Sequence, residues 1–345
     1  MVEIPLENER IGPEKSEYLY RSSKAYFTYG SNRTTFQKGY LGLNSSEVSG
    51  VFHIRYPELK PLRATNIELC FSGIIHIQWS DYNGYHCSNS KEICKQRKCI
   101  WKTNSNYENI TYFDYPFSFV IPNDSPSSIN HIGKYKANGM IYYTISATIY
   151  RKRVKIFQSS NKIVEVKVDI RQWQLPACPS YEPEFLIQKT DLFECRVLIY
   201  KTTFDICGFI NIPINFRLFK QEVTVKEISV KLVEYFKLAT MKSYYKGCLV
   251  KQTVNGNQVL PVPNSENEFS VIVRLDLSKA KKLWNNEAVI NCSCITELFE
   301  VWHKVKIEIL MGKADNVKFK KMVELCNIVS DDALEGYMNS LEHIL

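Results

Sequence analysis

"YPFSFVIPNDSPSSI", Tyr115 to Ile129, decides the fold. Tyr115, Phe117, Phe119 and Ile121 fall on alternate positions, the period of a half-buried strand. They form its expected inward face, filling the gap between two sheets with a few large side chains. Pro122 stops the ladder, and Asp124 to Ser128 read as a turn whose side chains bond their own backbone.

The same alternation recurs along the chain. In "MIYYTISATIY", Ile141, Tyr143, Ile145, Ala147 and Ile149 share one face. In "IVEVKVDIR", Val164, Val166, Val168 and Ile170 oppose Glu165, Lys167, Asp169 and Arg171. One dry and one wet face is typical of antiparallel sheets. "FINIPINFRLF" aligns Ile210, Ile212, Ile214, Phe216 and Leu218, with Pro213 marking an edge there. "VTVKEISVKLVEY" changes phase between Val225 and Ile228, as a β-bulge produces. "FSVIVRLDL" and "VWHKVKIEIL" complete the series.

The sequence has 345 residues, 45% hydrophobic and 13% aromatic. That is material for two packed cores with a bias towards strands. "QWQLPACPSYEPEF", Gln172 to Phe185, carries Pro176, Pro179 and Pro183, and reads as the connection between two blocks of short strands. The expectation is an all-β chain of two immunoglobulin-like antiparallel sandwiches in tandem. The division is 18–172, a linker at 173–185, 186–312, and a short helical C-terminal tail at 313–345. The tail rests on Phe319, Met322, Val323 and Cys326, then on Leu334, Tyr337, Met338 and Leu341 after an N-cap at Ser330.

The N-terminus has no apolar signal core and no run is long enough to span a bilayer, so a soluble, intracellular protein is expected. Eleven cysteines without a regular framework argue against a disulfide scaffold. The net charge of +8 favours acidic partners.

No P-loop, dinucleotide fingerprint, nucleophile elbow or H-E-x-x-H occurs, so no catalytic residue and no cofactor is expected. His303 shares the apolar face of its strand with Val301, Val305 and Ile307, and reads as a hydrogen-bonded core histidine. His86, Cys87, Cys94 and Cys99 could ligate zinc, but their spacing is unlike ordinary structural sites; a long polar hairpin is the plainer reading. Arg151, Lys152, Arg153 and Lys155, at a strand end, could contact acidic or phosphorylated tails or anionic lipid, against the plainer reading of a solvated hairpin end. Nothing points to nucleic acid. "CPSY", Cys178 to Tyr181, is a faint echo of the P-P-x-Y peptide of WW-domain ligands.

Motif detail goes further. "EVSGVFHI", "ATNIELCFSGIIHIQW", "YPFSFVIPNDSPSSI" and "GMIYYTISATIYRKR" occur in the order found in arrestin N-terminal domains, most of all in the arrestin-domain-containing branch. "CGFINIPINFRLFKQEVTVKEISVKLVEY" and "LFEVWHKVKIEI" resemble strands of the arrestin C-terminal domain. The resemblance implies a non-enzymatic, cytoplasmic adaptor, recruited peripherally to plasma membrane or endosomes. It would bind cytoplasmic tails of membrane proteins and support their endocytosis or ubiquitination. That branch often recruits HECT-type ubiquitin ligases through P-P-x-Y motifs, which this sequence lacks. The retromer small-subunit family, which shares the fold, is the alternative within the binding class.

Overall fold

The computed structural model describes residues 24–30, 33–80, 84–132, 137–151, 161–177, 183–242, 244–280 and 290–330. These are strands and turns, with two short 3-10 turns and no α-helix among them. No helix among them is long and apolar enough to cross a membrane.

The first half contains β1 (Ala25–Thr28), β2 (Gln37–Lys38), β3 (Ser46–Arg55), β4 (Leu62–Ala64), β5 (Asn66–Ser80), β6 (His86–Lys102), β7 (Glu108–Ile110), β8 (Tyr112–Ile121), β9 (Ile129–Ile132), β10 (Asn138–Tyr150) and β11 (Asn161–Val168). One sheet runs β1-β3-β2 with β8 on β3, and the facing sheet runs β11-β10-β5-β6 with β9 on β10. The strand that decides the fold is β8. Phe117, Phe119 and Ile121 are buried. Tyr115 is only half-buried, because it lies towards the strand's outer end, where it stacks on Phe113. Ile121 is the last residue paired with β3, so the ladder stops at Pro122.

The turn after Pro122 differs from the expectation of local bonding. Ser125 and Ser127 are buried. Ser127 Oγ accepts from the Gln172 N–H at 2.8 Å, and Ser128 Oγ from the Ile170 N–H at 2.9 Å. The Tyr143 hydroxyl donates to the Pro126 carbonyl at 2.7 Å. The hydroxyls therefore tie the turn to the end of the first half.

The second half contains β12 (Trp173–Gln174), β13 (Glu184–Lys189), β14 (Phe193–Ile199), β15 (Thr203–Asp205), β16 (Phe209–Leu218), β17 (Thr224–Leu238), β18 (Tyr245–Asn255), β19 (Leu260–Pro261), β20 (Glu268–Asp276), β21 (Cys294–Ile295), β22 (Phe299–Gly312) and β23 (Val317–Ile328). Its larger sheet runs β12-β23-β22-β17-β18, with β15 on β23 and β21 on β22; its smaller sheet runs β13-β14-β16-β20-β19. β14 pairs with β16 only as far as Ile214, so Pro213 sits where that side becomes an edge. The phase change in β17 is a register shift between Val225 and Glu227.

The helical reading of Phe319 to Cys326 is wrong. These residues form β23, antiparallel to β22 from His303↔Val323 to Ile309↔Val317. Phe319 and Val323 face the core, while Met322 faces out. The inward position between them is Lys321, which reaches Glu184 at the sandwich margin instead of breaking the strand. Leu334 to Leu341, and the Cys178–Tyr181 peptide, lie outside the described residues.

Two cores result. One joins the facing sheets of the first half, the other those of the second. Phe236, Leu238, Phe299 and Val301 from the second half belong to the first core. The halves thus share a packed joint.

Candidate functional site

Of the basic run expected at the end of β10, Arg151 is half-buried, and Lys152, Arg153 and Lys155 lie outside the described residues.

The zinc reading fails on geometry. His86, Cys87, Cys94 and Cys99 all lie along β6, which pairs with β5 over its length. At about 3.3 Å per residue, His86 and Cys99 are roughly 40 Å apart, and no single ion can reach both. Among the described residues no group of three or more His, Cys, Asp or Glu side chains could hold a metal. Burial pushes the Cys94 thiol up to about 11, as expected of a packed thiol rather than a ligand. β6 is instead a long hairpin edge, interrupted by register shifts beside Ile67 and Gly73. Its inward Lys98 lies over the Tyr115 ring, and Gln96 donates to the Val120 carbonyl. Bulges and inward charge are how edges are kept from pairing with other chains.

The outer face of the larger second-half sheet carries a different pattern. Lys320 is opposite Lys306, Lys306 opposite Lys231, and Lys231 opposite Lys251, so four lysines line up across β23, β22, β17 and β18. Strands are about 4.8 Å apart, and like charges directly opposite destabilise a sheet. One neighbour relieves part of this: Glu308 pairs with Lys231 at 2.8 Å. The hydrogen bond and charge of Lys231 hold its carboxyl below the usual range. Beside the row, Tyr235 stacks on Trp302 with ring centres 5.4 Å apart, and Lys304 and Lys306 lie over Tyr235. Tyr244 and Met322 are exposed at its margin. The face can bind anions, and it offers aromatic and apolar contacts alongside. No sequence motif announces it, because the lysines are scattered over ninety residues and only the strand register brings them together.

The joint between the halves holds a buried polar cluster. His303 is fully buried, as expected of a core histidine, and its Nδ1 is 2.9 Å from Ser293 Oγ. Its Nε2 is 3.5 Å from Glu234 Oε2. His131, from β9 of the first half, donates from Nδ1 to Glu234 Oε1 at 2.9 Å. Asn291 donates to Glu234 Oε2 at 3.2 Å and accepts from the Asn130 N–H at 3.3 Å. Burial opposes ionisation of Glu234, but the two imidazoles outweigh it and its pKa falls to about 2. Below the cluster, Asn327 donates to the Gln172 carbonyl at 3.1 Å. A narrow cleft there is lined by Ser127, Gln172, Cys292 and Cys326. Burial pushes the thiols of Cys292 and Cys326 up to about 11 and about 12, which makes them packing groups.

A third network, on the outer face of the first half, also escaped the sequence. Thr28 Oγ1 is 2.8 Å from His53 Nε2, and His53 Nδ1 is 2.7 Å from Asp114 Oδ1. Arg55 and Tyr112 hold the other side of Asp114. It braces β1, β3 and β8 in register.

Paired β-sandwiches with a basic outer face and a polar joint between the halves define an all-β scaffold. Residues 27–171 match the family model described as arrestin (or S-antigen), N-terminal domain. By that match the first half of the chain is similar to an arrestin N-terminal domain. No curated protein matches it.

Proposed function

We propose that the chain is a non-enzymatic adaptor that binds acidic cytoplasmic segments of membrane proteins and supports their trafficking. It would act in the cytoplasm, recruited peripherally to plasma membrane or endosomes. The division into 18–172 and 186–312 is proposed with it, the strands to Ile328 being added to the second unit.

One observation carries the reading: the cross-strand row Lys320, Lys306, Lys231 and Lys251. Such a row costs the sheet stability when empty and recovers it when an anion spans it. Arg151, Lys152, Arg153 and Lys155 are the proposed contact of the first half. A HECT-type ligase is a proposed partner, although P-P-x-Y does not occur in these 345 residues.

The test is the quadruple reversal K231E/K251E/K306E/K320E, compared with wild type on acidic tail peptides and on vesicles containing anionic lipid. Loss of peptide binding by at least about tenfold, steeper at low salt, is expected. Unchanged peptide binding by a folded variant rejects the row. Loss confined to vesicles assigns it to lipid instead.

A further inference from the structure

The strand at the end of a sheet has unpaired backbone groups that invite another chain, unless it is short, bulged, interrupted by proline or turned inward with charge. Nearly every described sheet end has such protection. β2, β12 and β19 are two residues long, β15 three and β1 four. β6 and β18 are broken by register shifts. β8 carries Pro116, and Gln96 takes its Val120 carbonyl. β11 turns Lys162 to the inward side opposite Ile149, where it donates to the Tyr56 hydroxyl at 3.0 Å.

β13 differs. It runs six residues, Glu184 to Lys189, without a proline. Its pairing with β14 has no register shift, and no described strand lies on its other side. Glu184, its inward charge, is already paired with Lys321. Leu186 packs inward on the second core. Phe185 and Ile187 point outward and are 48% and 53% exposed. The same outer face continues into Leu198, opposite Phe185, and to Ile272, which lies opposite Pro213 and is 67% exposed.

The sequence of β13 complements itself. Residues directly opposite in an antiparallel ladder share a face. A two-fold axis through Leu186 therefore sets Phe185 of each copy opposite Ile187 of the other, and Leu186 opposite its own equivalent. Glu184 meets Gln188, so no like charges face each other. An aromatic against a β-branched residue is a favourable cross-strand pair, and this register makes it twice. The protected edges of the other sheets leave β13 itself as the matching edge on a second copy.

We propose that β13 is a homodimerisation edge, at which two copies of the chain join antiparallel about Leu186 and their smaller second-half sheets become one continuous sheet. The contact is isologous, so it closes at two copies and builds no fibre. A standard interface buries about 800 Å² per partner, and six residues of strand bury less, which sets the association in the micromolar range.

Sedimentation of the full chain from about 1 to about 100 μM is expected to show a monomer–dimer equilibrium without larger species. Phe185→Glu and Ile187→Lys should each weaken it at least about tenfold. Mixed in equal amounts, the two variants should associate at least about tenfold more tightly than either alone, because position 185 of one copy faces position 187 of the other and carboxylate then meets ammonium. A wild type that stays monomeric at the highest concentration overturns the proposal. So do variants that associate as wild type does, and a mixture that associates no better than its components. Both side chains are half-exposed, so the substitutions spare the core. If either variant misfolds, hydrogen exchange on wild type decides: β13 should gain about threefold protection or more across that concentration range while β6 stays unchanged. Equal behaviour of the two strands overturns the proposal.

Discussion

An exposed carboxylate in an ion pair ordinarily contributes little to stability. Asp114 has more partners than such a pair. It accepts from Tyr112 Oη at 2.7 Å, from His53 Nδ1 at 2.7 Å, and from Arg55 at 2.9 Å. What burial it has opposes ionisation, but these bonds hold its pKa at about 2 against an ordinary 3.8. The depressed value means stability that is present above about pH 4 and lost as pH falls through 2. With a third of the side chain exposed, solvent screening reduces the contribution to about 1 kcal/mol. Asp114→Asn should therefore lower stability by about that amount at pH 7, with the difference shrinking between pH 4 and pH 2. Urea unfolding across that range measures it. None of this was legible in the sequence, where His53 and Asp114 are sixty-one residues apart. The same holds for Ser127 and Ser128. A hydroxyl-rich turn reads as self-bonded, and nothing in the local residues says that its partners are Ile170 and Gln172.

Strands with strict alternation were legible because one face meets a core and the other water. β10 and β16 are of this kind, and Ile141 to Ile149 and Ile210 to Phe216 are buried at every second position. β23 was misread because its inward row is broken by Lys321, leaving Phe319, Met322, Val323 and Cys326 at helical spacing by coincidence. The deciding information is tertiary: β22 pairs on one side of β23, and β15 and β12 lie in parallel on the other. A substitution tests the parallel pairing on that side. The Glu324 N–H donates to the Thr202 carbonyl at 2.8 Å. Glu324→Pro removes that donor from a strand flanked on both sides, and should cost about 1–3 kcal/mol or more. Glu324→Gln keeps the N–H and should stay within about 0.5 kcal/mol of wild type. Thermal unfolding of the two variants side by side measures what that bond contributes.

At the scale of the molecule, the two halves cohere through aromatic packing as well as polar contacts, and Gly139 sits where both meet. Its backbone angles do not require glycine, but its space does. A Cβ there would lie 2.6 Å from Phe236 Cε2 and 3.2 Å from Phe299 Cδ1. Phe236 in turn stacks on His131 with ring centres 4.0 Å apart. A methyl group at 139 therefore pushes on the ring that holds His131 against Glu234. Overpacking of this kind costs about 1–3 kcal/mol, and Gly139→Ala should lower stability by that amount. Its signature is where the loss appears. Protection of β9 should fall first, with the β16 core following only at the global transition. Shortening the opposing ring relieves the clash, so Phe236→Leu in the Gly139→Ala background should recover part of the loss, although alone it is destabilising. That non-additivity, measured as a double-mutant cycle on unfolding free energy, tests whether the halves are coupled through this contact. Additive effects would mean that the ring and the glycine act on separate parts of the molecule, and that the joint is held by its polar groups alone.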